Sequence, residues 1–443
     1  MTERSEGSRV SAGRKLNRRD FLKMSGAGLA GAALLGASGC GSSSGGSGDL
    51  IFSMGPDDAE QTMATLIKRF NDQNKGFKVI HRVMPSDTGQ YFDKLRTQFQ
   101  AQSGDVDVIG GDVIWPAQLA ANGWIADLSD KFPKSEQGKF LEAPLNSVTY
   151  EGKVYGVPWY TDAGMLYYRK DLLEKSGFSE PPKTWAELKE MADKIKQDQG
   201  IKYGFVFQGD QYEGGVCDGL EYVWTHGGDV LDPNDPNKVI IDSPEAAAGL
   251  ATEASMLSSG VAPEAVATYT ESETEPAFLN GDSVFARNWP YMYAMVGTSD
   301  YPKLKPEQVA IAPLPVDDGN QLASCLGGWD MLVNANSDMQ DEAWEFIKFM
   351  TSEESMKFRS VKATVLPTRA ALLEDPEIKK LPVVAQGSPA IEHTHARPVS
   401  PYYSDMSLEM QEQFNRSLKG EVSPEDAVKT LQDSLEQIIQ AGS

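Results

Sequence analysis

The residues in this sequence best suited to chemistry are aromatic rings placed beside carboxylates. The segment GVPWYTDAGMLYYRKDLL sets Trp159, Tyr160 and Asp162 close together along the chain. A pyranose ring has an apolar C–H face that packs on such rings, and its hydroxyl groups donate hydrogen bonds to carboxylates. The combination indicates that the partner is a carbohydrate.

Two further segments bring aromatic side chains together. In FARNWPYMYAM, Trp289 and Tyr291 flank a proline that interrupts regular structure. In CLGGWDMLV, Trp329 follows Gly327 and Gly328, where the lack of side chains lets backbone amides approach a ligand closely. The alternative for these rings is the hydrophobic core, which is the commoner location of aromatic residues.

Two charged residues extend this candidate set. Asp112 follows the apolar run VDVIGG, and ligands of α/β sheets bind beyond the carboxyl ends of strands. Arg397 lies in the proline-flanked segment HTHARPVSPYY, and its guanidinium would form strong charge-assisted hydrogen bonds. The alternatives are a helix cap for Asp112, a turn before Gly164 for Asp162, and a solvated surface side chain for Arg397.

The elements that would position these residues alternate between strands and helices. DLIFSM and FKVIHRVM are typical of strands, and EQTMATLIKRFNDQ between them has helical apolar spacing. A second helix begins with a capping box of Thr184 and Glu187, and a third with Ser423 followed by Pro424. This alternation predicts an α/β architecture with mostly parallel sheets.

Length and charge limit the class of protein. A chain of 443 residues is too long for one ordinary core, so we expect two lobes. The net charge of −23 argues against a nucleic acid partner, because phosphates require basic surfaces. Most of the acidic residues are expected to serve solubility.

The N-terminus resembles a twin-arginine export signal that ends in a lipobox. Arg18 and Arg19 precede a small-residue apolar stretch that ends at ASGC, with Cys40 as its cysteine. We therefore expect a signal peptide over residues 1–39 and a Ser/Gly tether over residues 40–48. A lipid on Cys40 would hold the protein on the outer face of the cell membrane.

The remaining cysteines and histidines indicate neither a disulfide framework nor a metal site. Cys217 and Cys325 could pair or could remain buried free thiols, and the sequence leaves both open. His393 and His395 are too short a ligand set, and residues 232–237 lack the glycine of a calcium loop. We expect no cofactor and no metal.

Longer segments resemble one family across nearly the whole mature chain. The chain is similar to the extracellular solute-binding proteins of bacterial and archaeal ABC importers, of the maltose-binding type. The similar segments are YYRKDLLEKSGFSEPPKTWAELKEMADKI, GDSVFARNWPYMYA, LGGWDMLVNANS and DEAWEFIKFMTSEESMKF. The trehalose/maltose-binding branch of this family is resembled most in four segments, PWYTDAGMLYYRKDLLEK, QGDQYEGGVCDGLEYV, YTESETEPAFLNGD and ARPVSPYY.

The resemblance implies a two-lobed, Venus-flytrap periplasmic-binding-protein fold with crossovers between the lobes. Lobe 1 would comprise residues 49–161 and 327–380, and lobe 2 residues 162–326 and 381–443. The crossovers are expected near residues 159–162 and 326–329 and around residues 375–385.

In that branch, sugar binds between the lobes, which close on it. The residues that line the cleft fall here on Glu60, Asp112, Tyr160, Asp162, Trp289, Tyr291, Gly327, Gly328, Trp329 and Arg397. Asp58 or Gln61 could take the place of Glu60, and Asp87 and Gln90 are further candidates.

The function implied is capture of an α-linked disaccharide, trehalose first, and its delivery to the permease of an ABC importer by a monomeric, non-catalytic protein. One alternative keeps the fold and changes the ligand to an oligosaccharide, a phosphodiester or an osmolyte. Another alternative is a glycoside hydrolase, which would need two carboxyl groups at a defined separation.

Overall fold

The structure is a computed structural model that describes residues 48–58, 60–73, 76–317 and 319–442. Its strands are β1 Leu50–Met54, β2 Val79–Val83, β3 Val108–Asp112, β4 Thr149–Tyr150, β5 Lys153–Val154, β6 Gly156–Ala163, β7 Met165–Arg169, β8 Tyr203–Val206, β9 Leu231–Asp232, β10 Asp235–Val239, β11 Ser283–Asn288, β12 Val309–Ala312, β13 Ser324–Val333, β14 Leu366–Pro367 and β15 Thr394–His395. The proposed signal, Cys40 and all but the last residue of the tether lie outside the described residues.

The longer helices pack around the sheets, and short helices occupy the connections. The helices are α1 Thr62–Gln73, α2 Thr88–Gln100, α3 Pro116–Ala121, α4 Lys134–Gln137, α5 Glu142–Ser147, α6 Lys170–Lys175, α7 Trp185–Gln199, α8 Glu213–Thr225, α9 Pro244–Ser258, α10 Glu271–Leu279, α11 Met292–Met295, α12 Gln340–Met350, α13 Glu353–Ala363, α14 Ala370–Leu373, α15 Pro382–Ala385, α16 Ser388–Glu392, α17 Tyr403–Leu418 and α18 Pro424–Gly442.

Two main sheets organise the fold. The first has the order β14-β6-β13-β3-β1-β2, with β15 beside β13, and the second has the order β12-β7-β11-β8. The α/β prediction is confirmed, and parallel pairs join β1 to β2 and β3, and β11 to β8. Both sheets also contain antiparallel pairs, which the sequence pattern did not predict. In the first sheet β6 runs against β13 and β14, and β13 against β3. In the second sheet β7 runs against β11 and β12.

Two passages of the chain join strands of the two sheets, and a third connection brings a later segment into contact with the second sheet. Strand β6 belongs to the first sheet and β7 to the second, so the first passage lies at Gly164. The second passage lies between β12 and β13. The third lies between Asp375, which pairs with Lys357 of α13, and Gln386, whose side chain accepts a hydrogen bond from the Ile311 amide in the second sheet.

The predicted helix starts form as their sequences indicate. The Glu187 amide donates to Thr184 Oγ1 at 3.1 Å, and the Thr184 amide donates to Glu187 Oε2 at 3.3 Å. At the last helix, Ser423 Oγ accepts a hydrogen bond from the Asp426 amide at 3.1 Å. These contacts satisfy amides that would otherwise have no partner in the first turn.

Gly328 occupies a backbone conformation that other residues rarely adopt. Its φ is +127°, and a Cβ there would lie 2.4 Å from the Tyr160 carbonyl oxygen in the adjacent strand β6. We expect Gly328→Ala to lower the free energy of unfolding by about 2–5 kcal/mol, because backbone strain and steric overlap add.

Gly123→Ala is the matched control for this prediction. Its φ is +69°, but a Cβ there would meet nothing within 4 Å. Denaturant unfolding of both variants therefore separates conformational strain from overlap, and equal losses would contradict the proposed close approach to β6.

Glu253 is a buried acid on α9 that should make stability depend on pH. It is 2% exposed, and burial raises its pKa from 4.5 to about 8. Between these two values the folded state keeps a proton that the unfolded state releases. The free energy of unfolding is therefore not reduced by Glu253 below about pH 4.5, and it falls as pH rises towards about 8. The loss is on the order of a few kcal/mol.

Glu253→Gln should remove this dependence, because an amide does not titrate. We expect the variant to gain stability relative to the wild type as pH increases from 5 to 8. Thermal unfolding at several pH values measures the difference. Plots of melting temperature against pH that stay parallel for the two proteins would contradict the role given to Glu253.

Candidate functional site

A cleft of about 590 Å³ opens between strands of the first sheet and segments that follow β8 and β11 of the second sheet. Its volume lies within the range of small-molecule sites, roughly 300–1,000 Å³. The structure brings nine of the ten predicted site residues to its walls: Asp112, Tyr160, Asp162, Trp289, Tyr291, Gly327, Gly328, Trp329 and Arg397. The further candidates Asp87 and Gln90 also line it.

Glu60 lies apart from this group. It is exposed and lines an adjoining cavity of about 200 Å³. Asp58 lines both the cleft and the adjoining cavity, whereas neighbouring Gln61 adopts a positive φ of 51°. Of the alternatives to Glu60, the structure therefore places Asp58 in the cleft.

Arg397 is the centre of a buried ionic network. Its Nη2 lies 3.0 Å from Asp112 Oδ1, and its Nη1 lies 2.7 Å from Glu213 Oε1 at the start of α8. Arg397 is 5% exposed, so the surface interpretation of this residue is wrong. Asp112 is the last residue of β3, while the next helix begins only at Pro116, so the helix-cap interpretation is also wrong.

Asp162 is a buried carboxyl group within β6, and not a turn residue. Its pKa is raised from 3.8 to about 8, chiefly by burial and also by Asp112, while Arg359 and Arg287 oppose the rise. The carboxyl is therefore protonated at neutral pH and can both donate and accept hydrogen bonds. A sugar hydroxyl group also does both.

Trp289 follows β11 and presents its ring to the cleft. Its Nε1 donates to Glu271 Oε1 at 3.0 Å, and the Arg287 guanidinium lies 3.9 Å from its ring centroid. A Cβ added to Gly327 would lie 2.9 Å from the ring. Glycine at this position therefore gives the indole its place against β13.

Trp329 lies in β13 and also lines the cleft. Its ring stacks on Tyr91 at a centroid distance of 6.1 Å and meets the edge of Trp115 at 5.7 Å. These two rings fix the orientation of Trp329. The sequence identified Trp329 but gave no sign of the aromatic support behind it.

Several cleft residues were missed by the sequence analysis. The most informative is Arg359 of α13, whose guanidinium lies 4.1 Å from the Trp159 ring centroid and 4.6 Å from that of Tyr160. Others are Glu213, Glu271, Glu275 and Tyr212. The segments around Glu213 and Glu271 already carried the family resemblance, but nothing in the sequence distinguished Arg359 from a solvated helix residue.

Four buried polar atoms of cleft residues have no hydrogen-bond partner within the described part of the chain. They are Trp159 Nε1, Asp162 Oδ1, Arg359 Nη1 and Arg397 Nε. Buried polar atoms are normally paired, because leaving one unpaired costs about 1–3 kcal/mol. We call these the four available atoms, and they can serve a polar ligand.

The described residues include two cysteines and several side chains of the types that can ligate metals. Cys217 and Cys325 are both free and buried, which resolves the two possibilities that the sequence left open. No group of three or more His, Cys, Asp or Glu side chains in the described ranges could hold a metal ion. None of the described helices is long and apolar enough to cross a membrane.

Comparison with known proteins places the chain in a family. The model of the bacterial extracellular solute-binding proteins matches residues 56–357, and that of the twin-arginine translocation signal matches residues 15–36. The second match confirms the predicted export signal and supports an extracytoplasmic location.

Individual relatives agree with the family match. A probable ABC transporter-binding protein of Deinococcus radiodurans is 35% identical over 80% of this chain and 85% of its own length. The maltose-bound MalE3 structure of T. maritima is 38% identical, with a TM-score of 0.83, covering 88% of this chain and 99% of that chain. The GacH receptor of Streptomyces glaucescens, solved unliganded and with acarbose, is 26% identical, with a TM-score of 0.81, covering 89% and 99%.

These matches confirm the two-lobed periplasmic-binding-protein fold and the resemblance on which it was predicted. The chain belongs to the bacterial extracellular solute-binding proteins, of the kind that serve ABC sugar importers.

Proposed function

We propose that this protein captures an α-linked glucose disaccharide of the trehalose/maltose type and delivers it to the permease of an ABC importer. The observation that carries the proposal is the composition of the cleft, where aromatic rings and carboxylates surround the four available atoms. These groups supply both the apolar contact and the hydrogen bonds that a sugar requires. The maltose bound to the T. maritima relative supports the ligand class.

The charge of the cleft disfavours a phosphodiester ligand. Nine acidic side chains line it, eight of them besides the protonated Asp162, whereas its two arginines are Arg359 and Arg397. Arg397 is already paired with Asp112 and Glu213. A neutral sugar avoids the repulsion that a phosphate would meet in such a field.

The proposed role is binding without catalysis. We infer that the carboxyl groups of Asp112 and Asp162 form hydrogen bonds with sugar hydroxyl groups and do not act in catalysis, since Asp112 is paired with Arg397 by a 3.0 Å contact. A glycosidase would use such a pair as acid and nucleophile or base. Prolonged incubation with maltose or trehalose should release no glucose, and steady release would establish the enzyme alternative.

A panel of ligands tests the proposed specificity. We expect maltose and trehalose to raise the melting temperature of the protein, because a ligand that binds the folded state stabilises it by mass action. Longer maltodextrins should bind less well. A larger increase with maltodextrins, an osmolyte or a phosphodiester than with any disaccharide would overturn the assignment.

We further propose that Cys40 carries a lipid and becomes the N-terminus of a monomeric mature protein, tethered by residues 40–48. The lipobox-like ASGC motif supports this proposal. Cys40→Ser should release the protein from the membrane fraction, and continued membrane association would contradict lipidation. Replacing Arg18 and Arg19 by lysine should leave the precursor in the cytoplasm.

A further inference from the structure

Arg359 is buried but still lines the cleft. The residue is 6% exposed and reaches the site from α13. Its guanidinium lies over both Trp159 and Tyr160. The side chain is thus held against two aromatic rings.

The donors of Arg359 are only partly used by the protein. Its Nε donates to Thr62 Oγ1 at 3.3 Å, and its Nη2 lies 3.8 Å from Asp58 Oδ2, beyond hydrogen-bonding distance. Its Nη1 is one of the four available atoms. Arg397, by contrast, contacts two carboxylates at 3.0 Å and 2.7 Å.

Asp58 complements this guanidinium with acceptors. Its side chain is 14% exposed and is held by the Thr62 amide, which donates to Oδ1 at 3.0 Å. A guanidinium donor beside a carboxylate acceptor can bind a hydroxyl group that accepts from one and donates to the other. The guanidinium of this pair lies over the Tyr160 ring, 4.6 Å from its centroid.

The cleft therefore contains two sets of an arginine, an aspartate and an aromatic ring. One set comprises Arg359, Asp58 and Tyr160, and the other comprises the paired Arg397 and Asp112 together with Trp289, which also lines the cleft. Asp162 also lines the cleft, two residues beyond Tyr160 in β6 and opposite Gly327 of β13.

We propose that Arg359 is a ligand-binding residue that determines ligand length, by holding one sugar unit of the disaccharide with Asp58 and Tyr160 while the set around Arg397 holds the other. This inference rests on the proposed sugar-binding function. It assigns each of two sugar units to its own charged pair, so a monosaccharide held by the Arg397 set does not reach Arg359.

The test compares maltose with glucose by calorimetric titration of wild type and Arg359→Gln. We expect the variant to lose about 10- to 100-fold in maltose affinity, since a charged hydrogen-bond partner is lost. Its glucose affinity should remain within about twofold of the wild type. Equal losses for both sugars would overturn the assignment of Arg359 to a second sugar unit.

Arg369→Gln is the matched control. Arg369 is also a partly buried arginine over an aromatic ring, with its guanidinium 4.6 Å from the Phe140 centroid and its Nε donating to the Thr351 carbonyl. It is absent from the lining of the described cleft. Its replacement should leave both sugar affinities unchanged, and a loss like that of Arg359→Gln would overturn the specific role.

Arg359→Lys covers the case in which the glutamine variant fails to fold. Lysine keeps a cation near the two rings but lacks the planar fork of donors. We expect a melting temperature near that of the wild type and a maltose affinity about 3- to 10-fold weaker. Wild-type maltose affinity in this variant would overturn the inference while leaving the proposed function intact. If wild-type protein bound no disaccharide at all, the proposed function itself would fail.

Discussion

Replacing Arg397 by methionine is expected to lower the free energy of unfolding by about 3–5 kcal/mol and to weaken sugar binding by at least about tenfold. The guanidinium balances the buried carboxylates of Asp112 and Glu213, and methionine would leave both without their cation. Removing one partner of a buried ionic network costs far more than a surface pair contributes.

The pH dependence of this variant provides a second readout. Burial already raises the pKa of Asp112, and Arg397 opposes that rise. Without Arg397 the pKa of Asp112 should rise further, so the acid binds its proton more tightly in the folded state. The stability deficit of the variant should therefore shrink as pH falls, and a deficit independent of pH would contradict this explanation.

Arg169→Met is a suitable control for the binding effect. Arg169 forms a two-point pair with Asp171, with both contacts at 2.8 Å, and its side chain is 8% exposed. It is not among the residues that line the described cleft. We expect this variant to lose stability but to keep its sugar affinity, and equal loss of affinity in both variants would mean that Arg397 acts only through folding.

Replacing Trp289 by alanine should reduce sugar affinity about 10- to 100-fold with little change in melting temperature. The indole lines the cleft and is only partly buried, so its loss removes a stacking surface worth on the order of 1–3 kcal/mol. Its partner Glu271 still accepts a hydrogen bond from the Tyr212 hydroxyl at 2.7 Å, so no carboxylate is left without a donor.

Trp344→Ala is the matched control for this prediction. Trp344 is also partly buried, and it packs against Phe132 at a centroid distance of 6.3 Å, outside the lining of the described cleft. Binding isotherms and melting curves of the two variants should show opposite patterns. Wild-type affinity with a collapsed melting temperature in Trp289→Ala would mean that the ring is a core residue.

Local sequence signals were sufficient for much of the fold. The capping box at Thr184 and the serine cap at Ser423 are encoded within a few residues and form as predicted. The antiparallel course of β13 was not predictable, because its partners β3 and β6 lie more than a hundred residues earlier in the chain. Periodicity records whether a strand is buried but not the direction of its neighbour.

The site residues that could be predicted are those whose binding chemistry is concentrated in short stretches of sequence. Tyr160 and Asp162 lie in β6. Gly327 and Gly328 lie in β13 and pair with Asp162 and Thr161 of β6, so the two sequence segments meet in one place. Arg359 and Glu213 were missed because they lie on helices and reach the cleft only through tertiary packing. Glu60 was the least securely placed residue for a different reason, since its loop GPDDAEQ is shorter than the corresponding loop of the resembling branch.

Calorimetric titration of the protein with maltose and with trehalose tests the central claim most directly. The two arginine-centred sets of the cleft predict one disaccharide bound per chain, with heat that disappears when the competing sugar is already present in excess. Absence of any heat with maltose, trehalose or sucrose, together with saturable binding of a phosphodiester or an osmolyte, would contradict the account.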